Sequence, residues 1–157
     1  MEDLFPGYVI DTSAFIDLWR RRYPRDVFPT IWQRIDELIN SGELIAPDEV
    51  LGELKIQRDD LADWAKKQSL FKSLDAEQIS YVQKIIGQFP NSFDPQKTTP
   101  DADPFVVALA LSKGWKVITS ESPGGTSPRK KIPDLCVHYK IPCLSVLEFF
   151  REKQWTF

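Results

Sequence analysis

The segment TTPDADPFVVALALSKGWKVITSE, from Thr98 to Glu121, constrains the fold more than any other part of the chain. Phe105 to Leu111 is a solidly apolar helical run, and Val117 to Thr119 is a β-branched run beyond Gly114. A helix that is apolar all round must be buried. The strand after it is short and apolar without polar alternation, which suits a parallel sheet covered on both faces. Yet this buried unit opens on Asp101 and Asp103 and closes on Glu121, so carboxylates stand at both of its ends.

The same alternation of helix and strand runs through the rest of the chain. YVID, Tyr8 to Asp11, reads as a short buried strand, followed by Thr12 and Ser13 as capping residues and a helix AFIDLWRRR. In TIWQRIDELIN, Ile31, Trp32, Ile35, Leu38 and Ile39 recur at helical spacing, and Gly42 lies just past the end. Glu43 to Ala46 is a brief strand, and PDEVLGELK a helix with Pro47 or Asp48 at its start. From Asp59 to Phe89 the pattern is helical throughout, with Asp75 and Gln78 spaced as a capping box. A polar, proline-containing loop fills Pro90 to Pro100, and a Gly/Ser/Pro-rich one Ser122 to Pro128. The chain finishes with a helix PDLCVHYK, a strand CLSV and a helix LEFFREKQ. There is no internal repeat and no linker. The expectation is one α/β domain, residues 1–157, with ligands bound outside the carboxyl ends of its strands.

Composition narrows the chemistry. The single histidine, His138, argues against His-rich zinc sites and leaves a Ser-His-Asp triad without a partner motif. Cys136 and Cys143 lack a C-x-x-C spacing and read as buried thiols. A bound metal would therefore need oxygen ligands. The net charge of −3 excludes a generally basic nucleic-acid binder but leaves room for local basic clusters, RRR at 20–22 and RKK at 129–131. No apolar run is long enough to span a bilayer, and the first residues lack the pattern of a signal peptide, so the expected location is the cytoplasm.

Acidic residues at strand ends and helix starts then become the candidates. Asp11 follows an apolar strand; Thr12 and Ser13 could cap the next helix without it, so Asp11 is more than capping needs. Glu53 borders the apolar side of its helix, with Glu49 one turn earlier as a competitor. Asp103 precedes Pro104, which suits the first helical position, so Asp103 is expected to be the N-cap, with Asp101 in the loop before it. Glu121 follows the late strand. In a parallel sheet the strand-end positions fall on one edge, and clustered carboxylates repel one another unless a cation compensates. Hard oxygen ligands suit Mg²⁺ or Mn²⁺, which can activate water for phosphodiester hydrolysis.

Four stretches in this order, YVIDTSAFIDLW, APDEVLGEL, DPFVVALALSKGWKVITSE and IPCLSVLEFF, resemble the PIN-domain ribonucleases, in particular VapC-like toxins of toxin–antitoxin pairs. The resemblance covers nearly the whole chain. It implies a PIN-like three-layer α/β/α fold with a small, mostly parallel sheet, and an acidic pocket for Mg²⁺ or Mn²⁺. The family's acidic positions fall on Asp11, Glu53, Asp103 and Glu121, the last a departure because Asp is commoner there. Thr12 or Ser13 would bring a hydroxyl beside the pocket, and Asp101 would sit at its rim. The long loop SPGGTSPRKKIPD is a second departure; its Asp134 is expected to cap the following helix, and Arg129, Lys130 and Lys131 to meet RNA phosphates. The implied partners are an RNA substrate, a protein antitoxin and a second copy of the chain, with no membrane. The competing reading is a PIN-like module that binds RNA or protein without cutting. Asp-x-Asp chemistry of the topoisomerase-primase or haloacid-dehalogenase kinds does not fit, because TTPDAD is no strand and the first strand ends in DTS.

Overall fold

The computed structural model describes residues 6–92 and 101–157. Its strands β1 (Tyr8–Ile10), β2 (Leu44–Pro47), β3 (Phe71–Lys72), β4 (Lys116–Ile118) and β5 (Cys143–Leu144) form one five-stranded sheet in the order β3-β2-β1-β4-β5. Every pair is parallel, with Val9 opposite both Ile45 and Val117, and Ile118 opposite Leu144. All three residues of β1 are buried, as expected of strands covered on both faces.

The helices are α1 (Thr12–Ile16), α2 (Pro29–Ser41), α3 (Asp48–Leu54), α4 (Asp60–Lys66), α5 (Ala76–Gln88), α6 (Asp103–Lys113), α7 (Ile132–Tyr139) and α8 (Val146–Glu152). Connections β1→β2→β3 step in one direction across the sheet, while β3→β4→β5 return past β1 and continue to the other edge. Right-handed crossovers therefore lay α1–α4 on one face and α5–α7 on the other. The contacts agree: α3 packs on α1 and α4, whereas α6 packs on α5, on α7 and across β1, β2 and β4. The expected three-layer α/β/α arrangement with a small parallel sheet is thus what the chain adopts.

α6 explains the greasiest part of the sequence. Val106, Val107, Ala108, Leu109 and Ala110 are all fully buried, because the helix is enclosed by the sheet and its two neighbours. Each large side chain so buried contributes roughly 1.5–3 kcal/mol, which anchors the start of α6 at the sheet edge. On the opposite face, Trp32 packs edge-on against Trp19 and Trp64 at 5.0 and 5.2 Å. Its indole nitrogen donates to the Tyr23 carbonyl at 2.7 Å, so the buried polar atom is satisfied.

Several elements differ from the sequence reading, each for a physical reason. Asp59 to Phe89 is not purely helical: Asp59 caps α4, but Phe71–Lys72 extends the sheet as β3 beside Ala46 and Pro47. Two residues are too few to show a strand period. The helix after β1 changes pitch at Asp17, and Asp17–Arg22 is a π-helical turn closed by the Tyr23 amide on the Leu18 carbonyl at 2.9 Å. CLSV contributes only Cys143–Leu144, because Ser145 leaves the strand to cap α8 through the Glu148 amide at 3.1 Å. Of the loop expected from Pro90 to Pro100, Pro90–Ser92 forms a 3-10 turn, and the remainder lies outside the described residues.

Candidate active site

Parallel strands direct all their carboxyl ends to one edge, and in this strand order the connections diverge between β1 and β4. That divergence opens a crevice at the edge, the usual ligand position in open α/β sheets. Asp11 and Thr119 are the residues immediately beyond β1 and β4, linked by the Asp11 amide donating to the Ile118 carbonyl at 3.1 Å.

Asp11 is 2% exposed. It does cap α1, accepting from the Ala14 amide at 3.0 Å, so the capping role and the site position coincide. Ser13 Oγ donates to its carboxylate at 2.9 Å and Thr119 Oγ1 donates to Oδ2 at 2.8 Å. Even so, burial lifts the Asp11 carboxyl from 3.8 to about 7; the three hydrogen bonds pull it down and the nearby Glu121 charge pushes it up.

Asp103 does not cap α6. Ala102 holds the cap position with a helical backbone and no side-chain bond, and Asp103 is the first helical residue, with Pro104 second. The helix begins one residue earlier than Pro104 suggests, which leaves the Asp103 carboxylate aside from the free amides. Among the described residues that carboxylate accepts no hydrogen bond, though the residue is only 8% exposed. Burial, followed by the fields of Glu121, Asp101, Asp11 and Glu53 in that order, drives its pKa up to about 9. One buried carboxyl thus feels every other acidic residue expected at this edge.

Glu53 is distinguished from its competitor by two observations. Thr12 Oγ1 donates to Glu53 Oε1 at 2.5 Å, and Glu53 is among the charges acting on Asp103. Glu49 is half-buried with its pKa raised by burial and by Asp48, and it is not among the charges raising Asp103. The two hydroxyls of DTS therefore divide their work, Thr12 orienting Glu53 and Ser13 orienting Asp11.

The remaining predicted residues are held more by internal partners. Glu121 Oε2 accepts from the Ile132 amide at 3.0 Å, a negative charge at the start of α7, while its own amide donates to Thr119 Oγ1 at 3.1 Å. Asp101 is 3% exposed and takes Arg129 Nη2 on Oδ2 at 3.1 Å. The basic loop is thereby tied back onto the acidic edge at Arg129. Asp134 is not the cap, since Lys131 holds that position and Asp134 is the third residue of α7; its Oδ2 reaches back to the Gly124 and Lys131 amides at 2.8 and 2.9 Å and fastens the loop to the helix start.

Three further residues belong to this edge. Thr119 was legible only as the end of a β-branched strand; its hydroxyl is what bridges β4 to Asp11. Ser120 donates its amide to Ser13 Oγ at 3.0 Å and its hydroxyl to Asp17 Oδ2 at 3.0 Å. Asp17 is buried, and its signal was present: an acidic residue set within the apolar stretch Phe15, Ile16 and Leu18.

The donors around this crevice are carboxylate and hydroxyl oxygens, the chemistry Mg²⁺ and Mn²⁺ prefer. Among the described residues, no three acidic, histidine or cysteine side chains converge tightly enough to hold an ion as they stand. The fit is thus one of donor type and charge: a cation would offset the repulsion and desolvation that raise Asp103 and Asp11.

A family model described as "Domain of unknown function (DUF4411)" matches residues 8–157. The chain belongs to that family. A family of unknown function leaves the chemistry to be argued from the site. No curated protein matches the chain. Among solved structures, it is similar to the crystal structure of VapBC2 from Rickettsia felis bound to a DNA fragment from their promoter. That likeness has a TM-score of 0.49 at 9% identity and covers 88% of this chain and 97% of the other. No helix among the described residues is long and apolar enough to cross a membrane.

Proposed function

We propose that the protein is a metal-dependent endoribonuclease, with Asp11, Glu53 and Asp103 holding Mg²⁺ or Mn²⁺ at the β1/β4 crevice and Glu121 supporting them. The observation that carries the reading is Asp103: a carboxyl on a residue only 8% exposed, raised to about 9 by burial and by four acidic neighbours. A protein built only for stability gains nothing from such a residue. When bound, the cation would supply Lewis acidity toward a phosphodiester and lower the pKa of a water molecule. The chain's own part is to hold the donors: Ser13 and Thr119 fix Asp11, Thr12 fixes Glu53, and the Ile132 amide fixes Glu121. With its carboxyl pushed up to about 9, Asp103 would give up a proton on holding a cation at neutral pH.

The resemblance of its motifs to VapC-like PIN domains extends the reading to a toxin of a type II pair, with an antitoxin covering the acidic edge and a homodimer as the assembly. Arg129, Lys130 and Lys131 belong to it as RNA-phosphate contacts, Arg129 exchanging Asp101 for a phosphate. A small antitoxin-like reading frame beside the gene supports the toxin over a housekeeping nuclease. The second reading, a PIN-like module that binds RNA or protein without cutting, draws on two internal commitments: Glu121 to the Ile132 amide and Arg129 to Asp101. Incubating RNA with the purified protein separates the two readings. Cleavage that needs Mg²⁺ or Mn²⁺ and is lost in Asp11→Asn and Asp103→Asn is expected. Cleavage that survives EDTA or both substitutions contradicts the metal site, and RNA binding without cleavage favours the module.

A further inference from the structure

The π-helical turn Asp17–Arg22 is not accounted for by the carboxylates, and such turns concentrate at functional sites. Its wider pitch brings residues five apart together, so Arg22 Nε donates to Asp17 Oδ1 at 3.1 Å. The other oxygen of Asp17 accepts from Ser120 Oγ at 3.0 Å. A buried carboxylate therefore fastens the arginine turn to the residue that follows Thr119. Beside this link is a cavity of about 270 Å³ bordered by Asp17, Arg22, Tyr23, Ser120, Ser145 and Leu147. Ser120 is a wall shared with the candidate active site, since its amide donates to the same Ser13 hydroxyl that holds Asp11.

We propose that this cavity seats the nucleotide next to the scissile phosphate of a single-stranded RNA, with Arg22 contacting the backbone phosphate; this rests on the ribonuclease reading above. Three observations select that occupant. The Arg22 side chain is 68% exposed, so a phosphate can reach its terminal nitrogens, while Asp17 fixes the other end of the guanidinium. Asp17 also offsets the positive charge, which suits a singly charged diester better than a di- or triphosphate. The walls combine an aromatic ring and an aliphatic side chain, Tyr23 and Leu147, with the hydroxyls of Ser120 and Ser145, matching a base and a ribose. The volume lies just below the usual range for whole ligand sites, so it suits one unstacked nucleotide of a longer chain, and a duplex does not fit.

The test is binding of fluorescein-labelled dodecauridylate, followed by anisotropy in Mg²⁺ and in EDTA, alongside its cleavage. Arg22→Ala is expected to weaken binding about tenfold and to reduce the salt slope by about one unit. Arg22→Lys should recover most of the loss. Leu147→Asp, at an exposed residue of the cavity mouth, should weaken binding to a similar extent through the added charge. Wild-type protein that does not bind the oligonucleotide overturns the proposal, as does binding indifferent to both Arg22→Ala and Leu147→Asp. If binding depends on Arg22 but neither Mg²⁺ nor Mn²⁺ supports cleavage, the ribonuclease reading fails and the nucleotide seat stands. If RNA is cut and both variants behave as wild type, only the seat fails.

Discussion

Asp11 closes the first turn of α1 and at the same time faces the crevice between β1 and β4, so one side chain serves both the helix and the site. The sequence offered Thr12 and Ser13 as the caps; both lie inside α1, and Asp11 itself closes the turn. Its chemistry was not readable either, because the Thr119 hydroxyl that holds it lies 108 residues away. Asp103 reversed the expectation: the pre-proline rule made it a cap, whereas it lies inside the helix with its carboxyl left to the site. Both acids have folded-state pKa values above their unfolded ones. Their contribution to stability is therefore complete below about pH 4 and is lost as pH rises through about 7 and then 9. A tenfold change in proton affinity corresponds to about 1.4 kcal/mol, so at pH 8 without metal Asp103→Asn should be more stable than wild type by a few kcal/mol. Thermal melts should show that difference shrinking as pH falls toward 4; a variant equally stable or less stable at pH 8 contradicts the burial argument. Thr119→Val removes a hydroxyl that orients Asp11 and favours its charged form. Cleavage should fall by about 10- to 100-fold, with the acidic limb of its pH profile moved upward. An unchanged profile would take Thr119 out of the site.

Among the elements, those carrying many copies of one signal were legible. α2 shows five buried residues at helical spacing and ends on Gly42 in the left-handed region, and α5 carries both bonds of its Asp75/Gln78 capping box. α6 was legible from its unbroken apolar run, since only a helix enclosed on all sides tolerates one. β3 and the π-helical turn were not. A two-residue strand has no period, and the turn at Asp17 is held in part by Ser120, 103 residues away, which no local pattern reports. Short strands also depend on close packing at their ends. A Cβ on Gly7 would come within 2.4 Å of the Trp115 ring, just where the Gly7 carbonyl accepts from the Lys116 amide to join β1 and β4. Gly7→Ala should cost about 1–3 kcal/mol through overpacking. The resulting drop in Tm of about 3–10 °C, read from a thermal scan, should leave the pH dependence of stability unchanged.

For the molecule as a whole, strand order turns a list of acidic residues into a site. With β1 and β4 central and their connections diverging, Asp11 and Thr119 must meet, and α3 and α6 bring Glu53 and Asp103 from opposite faces of the sheet. The alternating pattern predicted a parallel sheet and therefore one acidic edge; it could not tell Glu53 from Glu49 or foresee Arg129 on Asp101, since both depend on side-chain placement. On the proposed reading the acidic edge would take a divalent cation as a stabilising ligand. Mn²⁺ should raise the Tm of the wild type, and more at pH 8 than at pH 5, where protons compete for the same carboxyls. The most direct measurement is titration calorimetry of Mn²⁺ into the metal-free protein at pH 7, in two buffers of different ionisation enthalpy. Binding should release between about one and two protons per ion, drawn from Asp11 and Asp103, and both heat and proton release should vanish in the Asp11→Asn, Asp103→Asn double variant. No binding, or binding that the double variant retains, would contradict a metal centre at this edge.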